Sequence, residues 1–422
     1  MRCAMGEWGK ASVGRVVIRA GTLVKGTGEA PSKKMAVIIE GSKIKAVAQA
    51  SEVPEADGPG DIDVDLGEMT LLPGLIDVHT HLTFGTKGRK YEEVMRDDSD
   101  DLMLARSIRN AQTHMAAGIT TLRDNGCRNR ITLSTREIFQ KGIFFGPRVL
   151  ASARPITITG GHFWFCNGEA DGVDEARKLA RRLIKEGVDF IKIMGSGGGT
   201  AITDRRRHSF SQAELAAIME EVHREGRLAT IHCHASQAIR NAVSAGVDCI
   251  EHITFIEPDG QKVFDQAVAD EILRKGIFVS PTIQVGYRNY EQLKAREPDL
   301  TPVERRNMEQ LYETVLSRIE NVGRMLAMGI RIVAGTDSIA SFGDFAIGLE
   351  LFVKGGMTPH QAIISATGEA ARAIGVGDIT GTVEVGKEAD LVACERNPLD
   401  EISALNQPVV VIKGGKPFIL PA

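Results

Sequence analysis

The hydrophobic rhythm of the chain changes near residue 74 and changes back near residue 380. Before the first change, the segments 16–24 (VVIRAGTLV), 34–48 (KMAVIIEGSKIKAVA) and 61–74 (DIDVDLGEMTLLPG) are rich in β-branched residues and broken by turn residues, which predicts short strands. After it, short apolar runs alternate with helical stretches. Runs at 75–81 (LIDVHTH), 119–124, 148–153, 188–193, 228–234, 247–252, 277–283 and 330–337 predict eight strands. Amphipathic helices lie between them, as at 174–187 and 211–226. The second opens on Ser211 with Glu214 three residues on, the pattern of a capping box. Repeated β–α alternation predicts a parallel sheet, and eight repeats predict an α/β chain closed as a (β/α)8 TIM barrel. The end of the chain, 381–399 and 408–418, returns to strands and turns. The expected organisation is therefore a small β-sandwich domain from residues 1–72 and 381–422, with the barrel formed by 73–380.

One long segment interrupts the alternation. Residues 287–325 are charged and helical between the seventh and eighth strands. They read either as a solvated excursion or as a lid or homo-oligomer contact. The bulk properties narrow the class. The 422 residues are 43% hydrophobic and 25% charged, enough for a sizeable core. A net charge of −4 gives no electrostatic basis for binding nucleic acid or an anionic membrane. No apolar stretch approaches the ~20 residues of a membrane span. No secretory h-region is recognisable, and six cysteines without paired spacing point to reduced thiols and a cytoplasmic location.

Candidate chemistry lies at the strand ends, where barrels of this kind place their active sites. His79 and His81 sit at i and i+2 and so share one face of a strand. Lys192, His232, His234, His252 and Asp337 end the fourth, fifth, sixth and eighth strands. Imidazoles and a carboxylate aimed at one point can bind divalent metal. An ammonium on a buried strand is costly. Lys192 therefore pairs with Asp337 or has reacted with CO2 to give an anionic carbamate that can bridge two ions. Cys233 falls on the opposite face of its strand from its two histidine neighbours and is not counted as a ligand.

With LLPGLIDVHTHL early, GTVEVGKEADLVA late, and HCHASQAIRNAVSAGVDCIEH and FIKIMGSGG between, the whole chain resembles the amidohydrolase superfamily of metal-dependent hydrolases. It is most similar to the branch with prolidase-like and Xaa-Arg/Lys dipeptidases, imidazolonepropionase-labelled proteins and xenobiotic amide or urea hydrolases. The resemblance implies that His79, His81 and Asp337 hold one metal and His232 and His252 a second, with carbamylated Lys192 and a hydroxide bridging them. Zinc is the expected ion. Asp337 would act as general base and then acid. Mononuclear deaminases of the superfamily carry Glu three residues after the fifth-strand histidine. Here that position is Ala235, and Lys192 is present, so deamination is disfavoured.

The substrate side stays open. His162, in TGGHFWFCNG, matches a Gly-Gly-His whose histidine contacts substrate in related peptidases, and His234 occupies a substrate-contacting position there. Phe163, Trp164 and Phe165 read as core or as an apolar wall, with Trp164 as a substrate contact. Arg205, Arg206 and Arg207 read as a solvated loop or as a carboxylate grip, with Arg207 the candidate. Gly197, Gly198 and Gly199 lack a phosphate-loop pattern and give backbone freedom beside the metals. The expected activity is hydrolysis of an amide-type C–N bond in a small molecule, a dipeptide or N-acyl amino acid. Aryl amides, phenylureas, carbamates or a cyclic amide are the alternatives. A non-catalytic barrel is the remote reading, since such relatives lose ligands that this chain keeps.

Overall fold

The computed structural model describes residues 14–56, 58–85 and 89–418. Cys3 and the first thirteen residues of the expected N-terminal domain lie outside them. Strands β1 (Arg15–Leu23), β2 (Ser32–Glu40), β3 (Lys43–Gln49), β4 (Ile62–Asp65) and β5 (Thr70–Pro73) come from the N-terminal part of the chain. They form one eight-stranded sheet with three strands near its other end, β13 (Leu391–Cys394), β14 (Pro408–Lys413) and β15 (Lys416–Pro417). The join is the antiparallel pair β5–β13, with Leu72 opposite Val392. Val16, Ile18, Val37, Ile39, Leu391, Val410 and Ile412 pack a separate apolar core behind this sheet. Strands from the two ends of the chain do meet, in a single hydrogen-bonded sheet.

β6 (Leu75–Thr80) follows β5 after one glycine. A Cβ at Gly74 would fall 2.1 Å from Thr120 Oγ1, so only glycine lets the chain pass this close to the next strand. β6, β7 (Ile119–Asp124) and β8 (Arg148–Ala151) form a three-stranded parallel sheet. β9 (Phe190–Met194), β10 (Leu228–Ala235), β11 (Cys249–Ile256) and β12 (Phe278–Ser280) form a four-stranded parallel one. Backbone hydrogen bonds link the two on both sides. Asp189 N–H donates to the Ala151 carbonyl (2.9 Å) and Ile156 N–H to that of Lys192 (2.8 Å). Opposite, Val279 N–H donates to Arg331 (3.0 Å), Val78 N–H to Ala334 (3.1 Å) and Asp337 N–H to His79 (2.7 Å).

The eighth expected strand is the exception. Residues 330–337 make only a bridge between Ile332 and Val279. The pleat is lost because Asp337 adopts φ 52°, and because Thr336 is tied sideways to Asp77 by its N–H (3.0 Å) and its hydroxyl (2.6 Å).

Helices cover the strands as their periodicity demands. In Gly172–Glu186, Ala176, Leu179, Ala180 and Leu183 are buried at spacings of three and four, and Gly187 ends the helix at φ 88°. The Ser211–Glu214 capping box is formed. The 287–325 segment folds as two helices, Ile283–Lys294 and Pro302–Met328. No helix among the described residues is long and apolar enough to cross a membrane. The five described cysteines are all free and buried, and Cys233 packs in the main apolar core, as its strand position requires.

Candidate active site

Strand alternation aims β10 into the site. Ala229, Ile231, Cys233 and Ala235 pack in the apolar core, while His232 and His234 face a cavity. Six of the ten histidines line this cavity: His79, His81, His162, His232, His234 and His252. Two donor groups stand out. His79, His81 and Asp337 offer donor atoms that lie within 4.8 Å of one another, and so do His232, His234 and His252. The first group matches the expected set. Its carboxylate Oδ1 lies 3.4 Å from His79 Nε2 and 3.5 Å from His81 Nε2. In the second group His234 stands beside His232 and His252, its ring stacked 4.8 Å from that of His252. Contacts outside the cavity fix these rings. His81 Nδ1 lies 3.1 Å from the Gly126 carbonyl, His234 Nδ1 2.9 Å from Thr254 Oγ1, and His252 Nδ1 2.6 Å from Thr282 Oγ1.

Lys192, 1% exposed, lines the same cavity, and its Nζ has no hydrogen-bond partner. It makes no ion pair with Asp337. Burial pulls its amine down to about 8, with Glu251 acting in the opposite direction. Its charge acts on His79, His232, His252 and Asp337, members of both donor groups. An isolated buried ammonium costs several kcal/mol. The orphaned amine and two clustered donor sets therefore fit a pair of divalent ions. Burial alone would raise Asp337, but the imidazoles of His79 and His81 outweigh it and hold the carboxyl below its usual range. Burial lowers His79 to about 4, so its ring is neutral, the form that binds metal.

Glu251 was not anticipated from the sequence. Its carboxylate is fully buried, 2.8 Å from His79 Nδ1, and it accepts from Arg123 Nη2 at 2.6 Å. Burial opposes its ionisation, and His79 and Arg123 reverse that, so it stays ionised. It orients the His79 ring and leaves Nε2 for the site. Strict alternation would put Glu251 and His252 on opposite faces. His252 takes φ 68° instead, and both side chains reach the site. The available signal was an acidic residue inside the apolar run VDCIEHI, which demands a buried cation partner.

On the substrate side, His162 lines the cavity 4.5 Å, ring to ring, from His232, with Nδ1 2.7 Å from Thr200 Oγ1. Gly198 makes room for it: a Cβ there would lie 2.4 Å from His162 Nε2. Trp164 is not brought to the cavity. It is 43% exposed on a short 3-10 turn that Phe163, at φ 61°, initiates. Phe163 lines the cavity instead, against Phe84, Tyr91 and His81. Arg207 is not brought in either. Its side chain is 84% exposed and lies near Asp204, which also pairs with Arg206. Arg205 is the member of the run that faces the cavity. Val285, Leu311, Thr314, Val315 and Arg318, from the two inserted helices, complete its wall.

Histidine–carboxylate and histidine donor groups around a buried lysine form a candidate metal site. Residues 70–417 match the amidohydrolase family, and the chain belongs to that family, whose members are metal-dependent. It is an enzyme that hydrolyses C–N bonds of small molecules. It is similar to ochratoxinase from Aspergillus niger, at 29% identity over 95% of this chain and 86% of the relative. The crystal structure of that ochratoxinase aligns with TM-score 0.82 at 26% identity, over 97% of this chain and 96% of the other. A crystal structure of a Xaa-Pro dipeptidase with methionine bound in its active site aligns with TM-score 0.84 at 27% identity, covering 96% and 99%.

Proposed function

We propose that the protein is a binuclear zinc hydrolase that cleaves the amide bond of a dipeptide or N-acyl amino acid, on a (β/α)8 barrel (residues 73–380) carrying a small β-sandwich domain (1–72 and 381–422). The observation that carries this reading is the orphaned, buried Lys192 amine in the cavity that both donor groups line. As a carbamate it would turn from an unsatisfied cation into an anionic bridge. His79, His81 and Asp337 would hold one ion, and His232 and His252 the other, with His234 beside them. When bound, the two ions would polarise the scissile carbonyl and make water nucleophilic at neutral pH.

The chain's own residues supply the rest. His162 contacts the substrate beside His232. Asp337, kept ionised, accepts a proton as water adds to the carbonyl carbon. It returns that proton to the nitrogen as the C–N bond breaks, leaving a carboxylate and an amine. Glu251 and Arg123 keep His79 oriented throughout. The likeness to a dipeptidase holding an amino acid supports the substrate class.

A second reading, aryl amides, phenylureas or carbamates, draws on the aromatic wall made by Phe163. Protein reconstituted with zinc and bicarbonate, assayed on dipeptides and N-acyl amino acids beside N-aryl amides, ureas and carbamates, separates the two. Turnover of the first panel supports the leading reading. Turnover confined to the second replaces it.

A further inference from the structure

Arg318 sits in the middle of the long inserted helix Pro302–Met328, yet it is only 8% exposed and lines the cavity that contains the donor groups. Its Nη1 donates to the Thr282 carbonyl at 3.3 Å, its Nε has no partner, and among the described residues no carboxylate lies within ion-pair distance of it. Such isolation is unusual in a chain whose arginines are so often paired. Burial lowers Arg318 to about 10, Arg205 pushes it down further, and Asp337 opposes both. Arg205 also faces the cavity and makes no ion pair among the described residues. A third cation, Lys262, donates to Thr314 Oγ1 at 2.8 Å on the same helix and feels both arginines, with Glu313 its acidic neighbour. A buried guanidinium with a free N–H edge, beside other cations, is costly unless an anion completes it. Thr282 ties this group to the metal side, since its carbonyl holds Arg318 while its hydroxyl holds His252.

We propose that Arg318, assisted by Arg205, anchors the free carboxylate of the substrate's amino-acid half and so selects acids over their amide-blocked counterparts. This rests on the reading of the site as an amide hydrolase and deepens it. The planar guanidinium offers the paired N–H geometry that a carboxylate accepts. Anchoring from Thr282 places the carboxylate on the side of the cavity that carries His252, with the scissile bond toward Asp337.

The test uses zinc- and bicarbonate-loaded protein with matched pairs, an N-acyl amino acid and its C-terminal amide. Wild type, Arg318→Met, Arg318→Lys and Arg205→Gln are compared for kcat and KM. The same proteins are titrated calorimetrically with a free amino acid and with its amide. Wild type should prefer the acid. Arg318→Met should collapse the acid-to-amide ratio of kcat/KM by roughly 10- to 100-fold, mainly through KM, the span carried by charge-assisted hydrogen bonds. Arg318→Lys should recover part of it, and Arg205→Gln should lose less. Should Arg318→Met not fold, the lysine variant and the exposed Arg205 variant decide. A wild type indifferent to the carboxylate, or variants that lower both substrates equally, overturns the anchor. If no C–N substrate is turned over, the hydrolase reading fails separately. The titrations then judge the anchor: acid-selective binding lost in Arg318→Met supports it, and absence of acid selectivity overturns it.

Discussion

The floor and the mouth of the cavity are built by different rules. The floor is built mainly from buried strand-end residues, and four of its histidine rings are fixed through Nδ1 by a carbonyl, hydroxyl or carboxylate behind them. The mouth consists of a loop arginine, a left-handed phenylalanine and two inserted helices, and it contains the guanidinium groups of Arg205 and Arg318, which make no ion pair among the described residues. In the proposed reading the floor sets which reaction is possible, and the mouth sets which molecule reaches it. In such a division, changes to the floor should alter metal content and kcat, while changes to the mouth should alter KM and selectivity.

The largest effect is expected at Lys192. Lys192→Ala should lose one of two bound metal ions and nearly all turnover, read by elemental analysis and steady-state kinetics. Two ions per chain with normal turnover would remove the carbamate from the account. Asp337→Asn should come next, lowering kcat by about 10²-fold or more, the range of general acid–base groups, while most of the metal remains. Near-native turnover would end its role as proton carrier. Glu251→Gln should weaken metal binding about 10- to 100-fold, as loss of an outer carboxylate on a metal-binding histidine does, seen in a competition titration with a chelator. Unchanged affinity would make Glu251 a purely structural partner of Arg123. The aromatic pair gives the smallest contrast. Phe163→Ala should cost about 3–5 kcal/mol of stability and raise KM, whereas Trp164→Ala should fall within about 0.5 kcal/mol of wild type. Equal effects on thermal denaturation and KM would erase the distinction between wall and surface.

The same division governs how much of the molecule could be read in its sequence. His79 and His81, or His232 with Cys233 facing away, follow from a two-residue period that holds wherever the backbone is a regular strand. Seven of the eight expected parallel strands form on that basis. Period reasoning failed where the backbone departs from the pleat: at His252, whose positive φ turns its ring to the same side as Glu251, and at 330–337, where Asp337 turns left-handed. It failed also where a single residue of a long inserted helix faces the cavity. Nothing in the spacing of Pro302–Met328 distinguishes Arg318 from its solvated neighbours, and only the packing of that helix over the cavity does so. Within Arg205–Arg207 and Phe163–Phe165 the composition singled out segments that border the cavity, but it is Arg205 and Phe163, not Arg207 and Trp164, that line it.

The most direct test is the number of metal ions per chain after reconstitution with zinc, with and without bicarbonate, measured on samples assayed in parallel for hydrolysis of an N-acyl amino acid. The account predicts two ions and turnover when bicarbonate is present, and loss of one ion and of activity when it is rigorously excluded. A single ion with full activity, indifferent to bicarbonate, would contradict it.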